Sequence, residues 1–399
     1  MGAPRLLVIA GEFPVPSETF VVGHIRGMRE RGFDVAVAAI TLHRDALSQV
    51  FGTDPPRTFE LEPRANALRS RSGLARWWTY RRTFGGGHAR LFPATAGRNL
   101  PARAAALLEI AREFKPDAMH AHFGPLGLIA SPAAKLLGIP LLVNFRGYDF
   151  LSYAPGTRWQ DYASFPKDAI AVGHSDFCEN ILRKHLSIRV QHVRRGVNRD
   201  RFKPPLRRAE WGSSASLLVV GRLTQGKGQH LAIDALKLLR RMLPGVAFIL
   251  RLAGGGETGD ALAQRALMLD VSDQVKLLGP LTHDAVAQQM QQSDVLLIPS
   301  IPRANGWVEN FCTVASEGLA SGMCVVASNQ GGIPEAVRDA GVLVPAGSAH
   351  ELARGIAHAL QARPPAAWSA LAQGKAGNYQ DSWMLDDYEQ LTREAMQHV

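Results

Sequence analysis

Short runs of Val, Ile, Leu and Ala recur along the chain, each bounded by polar or glycine-rich residues and separated from the next by a segment of helix length. Six fall in the first half: RLLVIA (5–10), DVAVAAI (34–40), DAMHAHF (117–123), PLLVNFRG (140–147), DAIAVGHS (168–175) and VQHVRRG (190–196). Six more fall in the second: SLLVVGRL (216–223), AFILRLAG (247–254), QVKLLG (274–279), DVLLIPS (294–300), CVVASN (324–329) and GVLVP (341–345). Continuous apolar runs of this length, spaced by helices, are what a parallel sheet covered on both faces requires. The pattern breaks once, near RFKPPLRRAEWGSSAS (201–216), where prolines and small polar residues interrupt it. The chain therefore reads as α/β with two doubly wound, Rossmann-like halves, a division that its 399 residues and 46% hydrophobic content also favour.

In such sheets ligands bind beyond the carboxyl ends of the strands. The second half meets that expectation repeatedly, since its runs end in GRLTQGKG, AGGGET, LGPLTHD, PSIPRANGWVEN and SNQGGIPE. Glycine recurs there, where backbone must approach a ligand. No Walker A sequence and no full G-x-G-x-x-G follows any run, so ordinary nucleotide motifs are absent and a dinucleotide-dependent oxidoreductase is disfavoured.

Composition adds three points. The cysteines, Cys178, Cys312 and Cys324, lack metal-ligand spacing and fit reduced, buried thiols of a cytosolic protein. No run approaches eighteen apolar residues, and the N-terminal LLVIA is too short for a signal segment, so a cytoplasmic location is expected. The net charge of +10 is uneven: residues 1–198 hold 26 Lys/Arg against 16 Asp/Glu, and residues 199–399 hold 19 of each. Nine arginines and no acidic residue lie between Pro63 and Ala104. This segment, with Arg76, Trp77, Trp78, Arg81 and Arg82, is either a solvated face or a surface that rests on an anionic membrane. Nucleic acid is a poorer partner, because no recognition motif accompanies the charge.

The candidate chemistry centres on two glutamates eight positions apart, Glu309 and Glu317, in NGWVENFCTVASEGLASGMCVVASN (305–329). Glu309 falls in a loop and Glu317 inside a helix expected to begin near Asn310 or Phe311, whose N-terminus suits a diphosphate or sugar hydroxyls. Alone, the pair also reads as a solvated first-turn residue and an exposed helical side chain. Arg222 and Lys227, flanking the turn in GRLTQGKG, can each set a positive charge on phosphate oxygens. His120 and His122 alternate on a strand and read as hydrogen-bonded residues at its end rather than as metal ligands, and LDDYE (385–389) reads as a solvated helix face rather than a metal motif.

GRL, then KG, then PS, then the two glutamates, then GGIPE resembles in order and spacing the C-terminal domain of family 4 retaining glycosyltransferases of the GT-B fold, also called group 1. In the first half FPVPSETF, HAHFG, FRGYD and VRRGVNRDRFKP look like the exopolysaccharide, or colanic-acid, branch of that family. The resemblance implies two domains facing across a cleft that closes over the donor: 1–198 for the acceptor, 199–375 for the nucleotide-sugar donor, and a helix at 376–399 that crosses back to the first. It implies that Arg222 and Lys227 hold the nucleotide diphosphate, UDP- or GDP-linked, and neutralise its charge without metal or other cofactor. Glu309 would meet the donor sugar and Glu317 the ribose, with Asn310, Phe311, Cys312, Thr313, Gly254 and Leu278 completing the donor site. Ser17, Glu18, Thr19, His122, Arg146 and Asp149 would line the acceptor side, the acceptor being a saccharide that can be lipid-linked. Two departures stand out: Arg146 replaces a common histidine, where it can meet an anion or pair with Asp149, and Asn310 and Cys312 replace small residues, which narrows the sugar space. A non-catalytic nucleotide-sugar binding protein is the alternative.

Overall fold

The computed structural model describes residues 2–15, 18–86, 88–95, 97, 99–153, 158–206, 210–377 and 381–397. The chain divides into two compact units. The first comprises Met1–His174, Cys178–Val193 and Leu385–Val399, and the second Ser175–Phe177 and Arg194–Met384.

The first unit is built on seven strands: β1 (Arg5–Phe13), β2 (Asp34–Leu42), β3 (Arg57–Glu60), β4 (Ala118–His122), β5 (Leu141–Asn144), β6 (Ile170–Gly173) and β7 (Arg189–His192). They pair in parallel in the order β3-β2-β1-β4-β5-β6-β7. The six runs read from the sequence are all strands. β3 was not read, because RTFE is a four-residue edge strand that buries only Phe59 and so carries no apolar run. Leu6, Leu7, Val8 and Ile9 of β1 are all fully buried, as a central strand covered on both faces demands.

The second unit carries β8 (Ser214–Val220), β9 (Ala247–Ala253), β10 (Val275–Gly279), β11 (Val295–Ile298), β12 (Cys324–Ser328) and β13 (Gly341–Val344), in the parallel order β10-β9-β8-β11-β12-β13. Alternation along β11 sorts its side chains between two cores. Val295 and Leu297 join Leu217, Leu250 and Val326 on one face, while Leu296 and Ile298 join Leu218, Val325 and Ala327 on the other. Each such side chain stabilises the sheet by about 2 kcal/mol, so neither face tolerates a polar substitution.

In each unit the strand order reverses once, between β1 and β4 in the first and between β8 and β11 in the second. At such a point the loops leaving two adjacent strands part, and a crevice opens at their carboxyl ends. Glu18 and His122 lie at the first reversal; the Arg222–Lys227 turn and the Ser300–Thr313 segment lie at the second.

Candidate functional site

After β8 the chain makes a glycine-dependent turn. Gly221 and Gly254 both take a positive φ (+153° and +150°), and Gly254 packs so closely on the turn that a Cβ there would overlap the Gly221 carbonyl oxygen. The Gly221 N–H donates to Ala253 (2.9 Å) and the Leu223 N–H to Gly255 (2.9 Å), which holds the turn to the end of β9. Arg222 projects from it into solvent and, among the described residues, makes no ion pair. A one-turn 3-10 helix, Gln225–Lys227, then brings Lys227 inward, and Gly228 (φ +68°) abuts the Pro299 carbonyl before the helix Gln229–Met242 begins.

Lys227 forms an ion pair through its Nζ with Glu309 Oε1. Glu309 is only 8% exposed, and the same oxygen accepts a hydrogen bond from the Ser300 hydroxyl (3.1 Å). Burial disfavours the Lys227 ammonium, but the Glu309 carboxylate outweighs it and the lysine pKa is raised above its ordinary value. The ammonium also sits 5.8 Å from the Trp307 ring centroid. Both charges are thus held in place before any ligand arrives.

The loop after β12 fixes the backbone around Glu309. Gln330 accepts the Glu309 N–H at its side-chain oxygen (3.3 Å), and the Gly332 N–H donates to the Glu309 carbonyl (2.8 Å). Side chains on Gly331 or Gly332 would strike the Glu309 or Asn310 carbonyls. Asn310, 8% exposed, accepts from the Ser175 hydroxyl (2.9 Å). This anchoring explains why the helix begins at Thr313, with Cys312 as its N-cap residue, later than the expected start at Asn310 or Phe311. Burial pushes the Cys312 thiol up to about 12. Arg195 donates to Thr313 Oγ1 (2.8 Å) and lies 5.6 Å from the Phe311 ring centroid.

Glu317, one turn into that helix, is 8% exposed; burial pushes its carboxyl up to about 7, with Arg195 and Arg201 opposing. Neither glutamate is the solvated side chain that a bland reading allows. Leu278, at the end of β10, is half-buried against the core that contains Ala253 and Cys312. Sequence reasoning passed over Ser300, Gln330 and Arg195, because their roles depend on loops that meet only in the folded sheet.

In the first unit, Ser17 lies outside the described residues, and Thr19 opens the helix Thr19–Glu30. Glu18 is half-buried; burial and then Glu12 raise its carboxyl, Arg146 opposes them, and one of its oxygens is buried without a partner. His122 is fully buried with neither ring nitrogen hydrogen-bonded, and burial followed by the Arg146 charge keeps it neutral. The Arg146 guanidinium lies 4.2 Å from the Phe20 ring centroid and donates once, to the Tyr388 hydroxyl (3.4 Å), leaving two nitrogens buried and unpartnered. Asp149 is fully buried and accepts the backbone N–H groups of Gly124 (3.2 Å), Arg146 (3.0 Å) and Gly147 (2.8 Å). Its carboxyl is pushed up by burial to about 6. Asp149 therefore meets Arg146 through the backbone, not through the guanidinium.

Behind these residues a polar network ties the helix Asp381–Gln397 into the first unit. Tyr388, fully buried, donates to Asn144 (2.5 Å) and lies 3.3 Å from His174 Nε2; Thr392 Oγ1 lies 2.9 Å from His120 Nε2, and His120 Nδ1 3.0 Å from His24. Burial lowers the His120 pKa to about 3. Among the described residues no group of three or more His, Cys, Asp or Glu is disposed to hold a metal ion.

Two parallel-sheet units, the second carrying the Lys227–Glu309 pair, the exposed Arg222 and the buried Glu317 at its strand reversal, have the GT-B fold of glycosyltransferases. Residues 208–372 match the family model "Glycosyl transferases group 1" and residues 17–177 the model "Glycosyl transferase 4-like domain". The second unit thus carries a group 1 glycosyltransferase domain and the first a glycosyltransferase 4-like domain. It is 29% identical over 370 residues to a protein of Escherichia coli (strain K12) named as a colanic acid biosynthesis glycosyltransferase, WcaL, covering 87% of this chain and 88% of that one. It is 27% identical over 378 residues to the amylovoran biosynthesis glycosyltransferase AmsK of Erwinia amylovora, covering 88% and 89%. Among solved structures, a glycosyltransferase from Rickettsia africae ESF-5 superimposes with a TM-score of 0.74 at 17% identity, covering 99% of this chain and 100% of that one. Anabaena Alr3699/HepE in complex with UDP superimposes at 0.71 and 18%, covering 98% and 100%. At these identities the structural likeness speaks to the fold.

Proposed function

We propose that the protein transfers a sugar from a nucleotide diphosphate sugar to a saccharide acceptor in the assembly of an exopolysaccharide, with retention of anomeric configuration and without a metal ion. The supporting observation is the Lys227–Glu309 pair beside the unpaired Arg222, at the strand reversal of the second unit and next to the N-terminus of the helix Thr313–Ala320. As the glycosidic bond of the donor breaks, negative charge gathers on the leaving diphosphate. Arg222, Lys227 and the positive N-terminal end of that helix would meet it, supplying the electrostatic stabilisation that a divalent ion supplies elsewhere. Glu309 carries a carboxylate to the sugar hydroxyls, and Glu317 one to the ribose.

The relatives agree in kind. One of the matched proteins is a GDP-mannose-dependent mannosyltransferase of Mycobacterium tuberculosis, and Anabaena HepE has been solved with UDP and glucose. We assign the donor as UDP- or GDP-linked, and place the acceptor, lipid-linked, in the first unit near Glu18, His122 and Arg146. The corresponding location is cytoplasmic, against the inner face of the membrane; no helix among the described residues is long and apolar enough to cross one. A panel of nucleotide sugars, screened by release of nucleoside diphosphate, tests the proposal. Slow release from one donor in the absence of acceptor is expected, and release from none of them would instead favour a nucleotide-sugar binding protein. NMR of the product anomer tests retention.

A further inference from the structure

The arginine-rich segment folds in part as the helix Gly73–Phe84, capped by the Ser72 hydroxyl, which accepts the Ala75 N–H (3.4 Å). Two faces of this helix differ sharply. Tyr80 and Phe84, one turn apart, are buried at 9% and 5% exposure, and Phe84 packs edge-on against Phe92 at 5.4 Å, so one face is anchored to the unit. Leu74, Trp77, Trp78, Arg81 and Arg82 fall at positions i, i+3, i+4, i+7 and i+8 and therefore share the other face. Leu74 is 70% exposed, Trp77 42% and Trp78 58%, and both arginines are exposed. The two indoles meet edge to face at 5.2 Å, and the Arg81 guanidinium lies 5.3 Å from the Trp77 ring centroid. Arg76 is off this stripe: it donates to the Arg69 (3.3 Å) and Arg71 (3.5 Å) carbonyls.

We propose that this stripe is an interfacial contact that seats the first unit on an anionic lipid surface. Two adjacent, solvent-exposed tryptophans are rare on a face with no partner, and the indole ring, apolar with one N–H donor, is suited to the boundary between headgroups and acyl chains. Complementary charge selects the occupant. The helix carries Arg76, Arg81 and Arg82 and no acidic residue, and the stretch from Pro63 to Ala104 contains none either. Leu74 and the tryptophans enter the interface while Arg81 and Arg82, one turn further along, stay level with phosphates. Because the helix is anchored by Tyr80 and Phe84 and not by the stripe, docking needs no rearrangement of the unit.

The test uses the full chain and vesicles of phosphatidylcholine with and without phosphatidylglycerol. The wild type should pellet with the anionic vesicles only, less as salt is raised, and its tryptophan emission should be quenched by bromine-labelled acyl chains. Trp77→Ser/Trp78→Ser should abolish that quenching, and Arg81→Gln/Arg82→Gln should lower partitioning roughly 10- to 30-fold, the effect of two basic groups at an anionic surface. All substituted side chains are exposed, so folding and donor hydrolysis in solution should be unchanged; the latter separates this test from that of the transferase itself. Equal pelleting of wild type and variants overturns the proposal. So does binding of the wild type to duplex oligonucleotides but not to vesicles, or a dimer in sedimentation velocity that the tryptophan variant converts to monomer.

Discussion

Replacing Lys227 separates electrostatic catalysis from structural support. In Lys227→Met the Glu309 carboxylate, 8% exposed, loses its ammonium partner and keeps the Ser300 hydroxyl at 3.1 Å. A charge-assisted hydrogen bond removed from a buried carboxylate costs about 1.5 to 3 kcal/mol, which for a unit of this size lowers the melting temperature by roughly 3 to 12 °C. Loss of a cation directed at the leaving diphosphate is a separate and larger effect on rate, about 10²- to 10³-fold, as for removal of one donor to a developing oxyanion. The two are distinguished by adding Glu309→Gln. The double variant has no buried charge left uncompensated, so its stability should return most of the way to wild type, while turnover should stay low. Nucleoside diphosphate release at saturating donor, with thermal unfolding measured in parallel, reads both quantities. Turnover of Lys227→Met within about threefold of wild type would refute the assignment of this cation to the departing group.

Three further outcomes are expected. Glu317 has its carboxyl raised from 4.5 to about 7, so the folded protein binds a proton there that the unfolded chain has already released; stability from this group falls as pH rises from 4.5 to 7. Glu317→Gln should therefore be more stable than wild type by up to about 3 kcal/mol at pH 8 and converge with it below pH 4.5, while donor binding weakens; denaturant melts across that range check the sign. Gly254→Ala forces a methyl group onto the Gly221 carbonyl at a φ of +150°, so it should destabilise the second unit by about 2 kcal/mol or more and raise the donor KM by displacing the Arg222–Lys227 turn, as steady-state kinetics will show. Chelation with EDTA should leave turnover unchanged, and restoration of lost activity by Mg²⁺ or Mn²⁺ would contradict a leaving group stabilised by side chains alone.

Much of the fold could be read because a parallel sheet buried on both faces writes itself as continuous apolar runs, and twelve such runs became twelve strands. β3 escaped because one buried phenylalanine in four residues leaves no run to see. The carboxylates and cations of the second unit were legible from their order along the chain, but the contacts that hold them were not. Gln330 reaches the Glu309 backbone from the loop of a different strand, and Ser300 reaches its carboxylate from the opposite end of an irregular loop. Helix periodicity in the last segment likewise hid Tyr388, whose hydroxyl bonds Asn144 across a separation of 244 residues. Arg146 was visible as a departure from the family pattern, yet only the fold shows that Asp149 spends its oxygens on backbone N–H groups and leaves two guanidinium nitrogens without partners.

The first unit is completed by a segment, Leu385–Val399, that follows the second unit in the chain. Until Tyr388 and Thr392 emerge from the ribosome, the nascent N-terminal sheet lacks the side chains that meet Nε2 of His120, Oδ1 of Asn144 and Nε2 of His174. Synthesis at ~5–20 residues per second would leave that surface bare for roughly ten to forty seconds while residues 194–384 are made. A nascent chain stalled short of Leu385 should then recruit chaperones more strongly than one that includes the helix Asp381–Gln397, even with the second unit already folded.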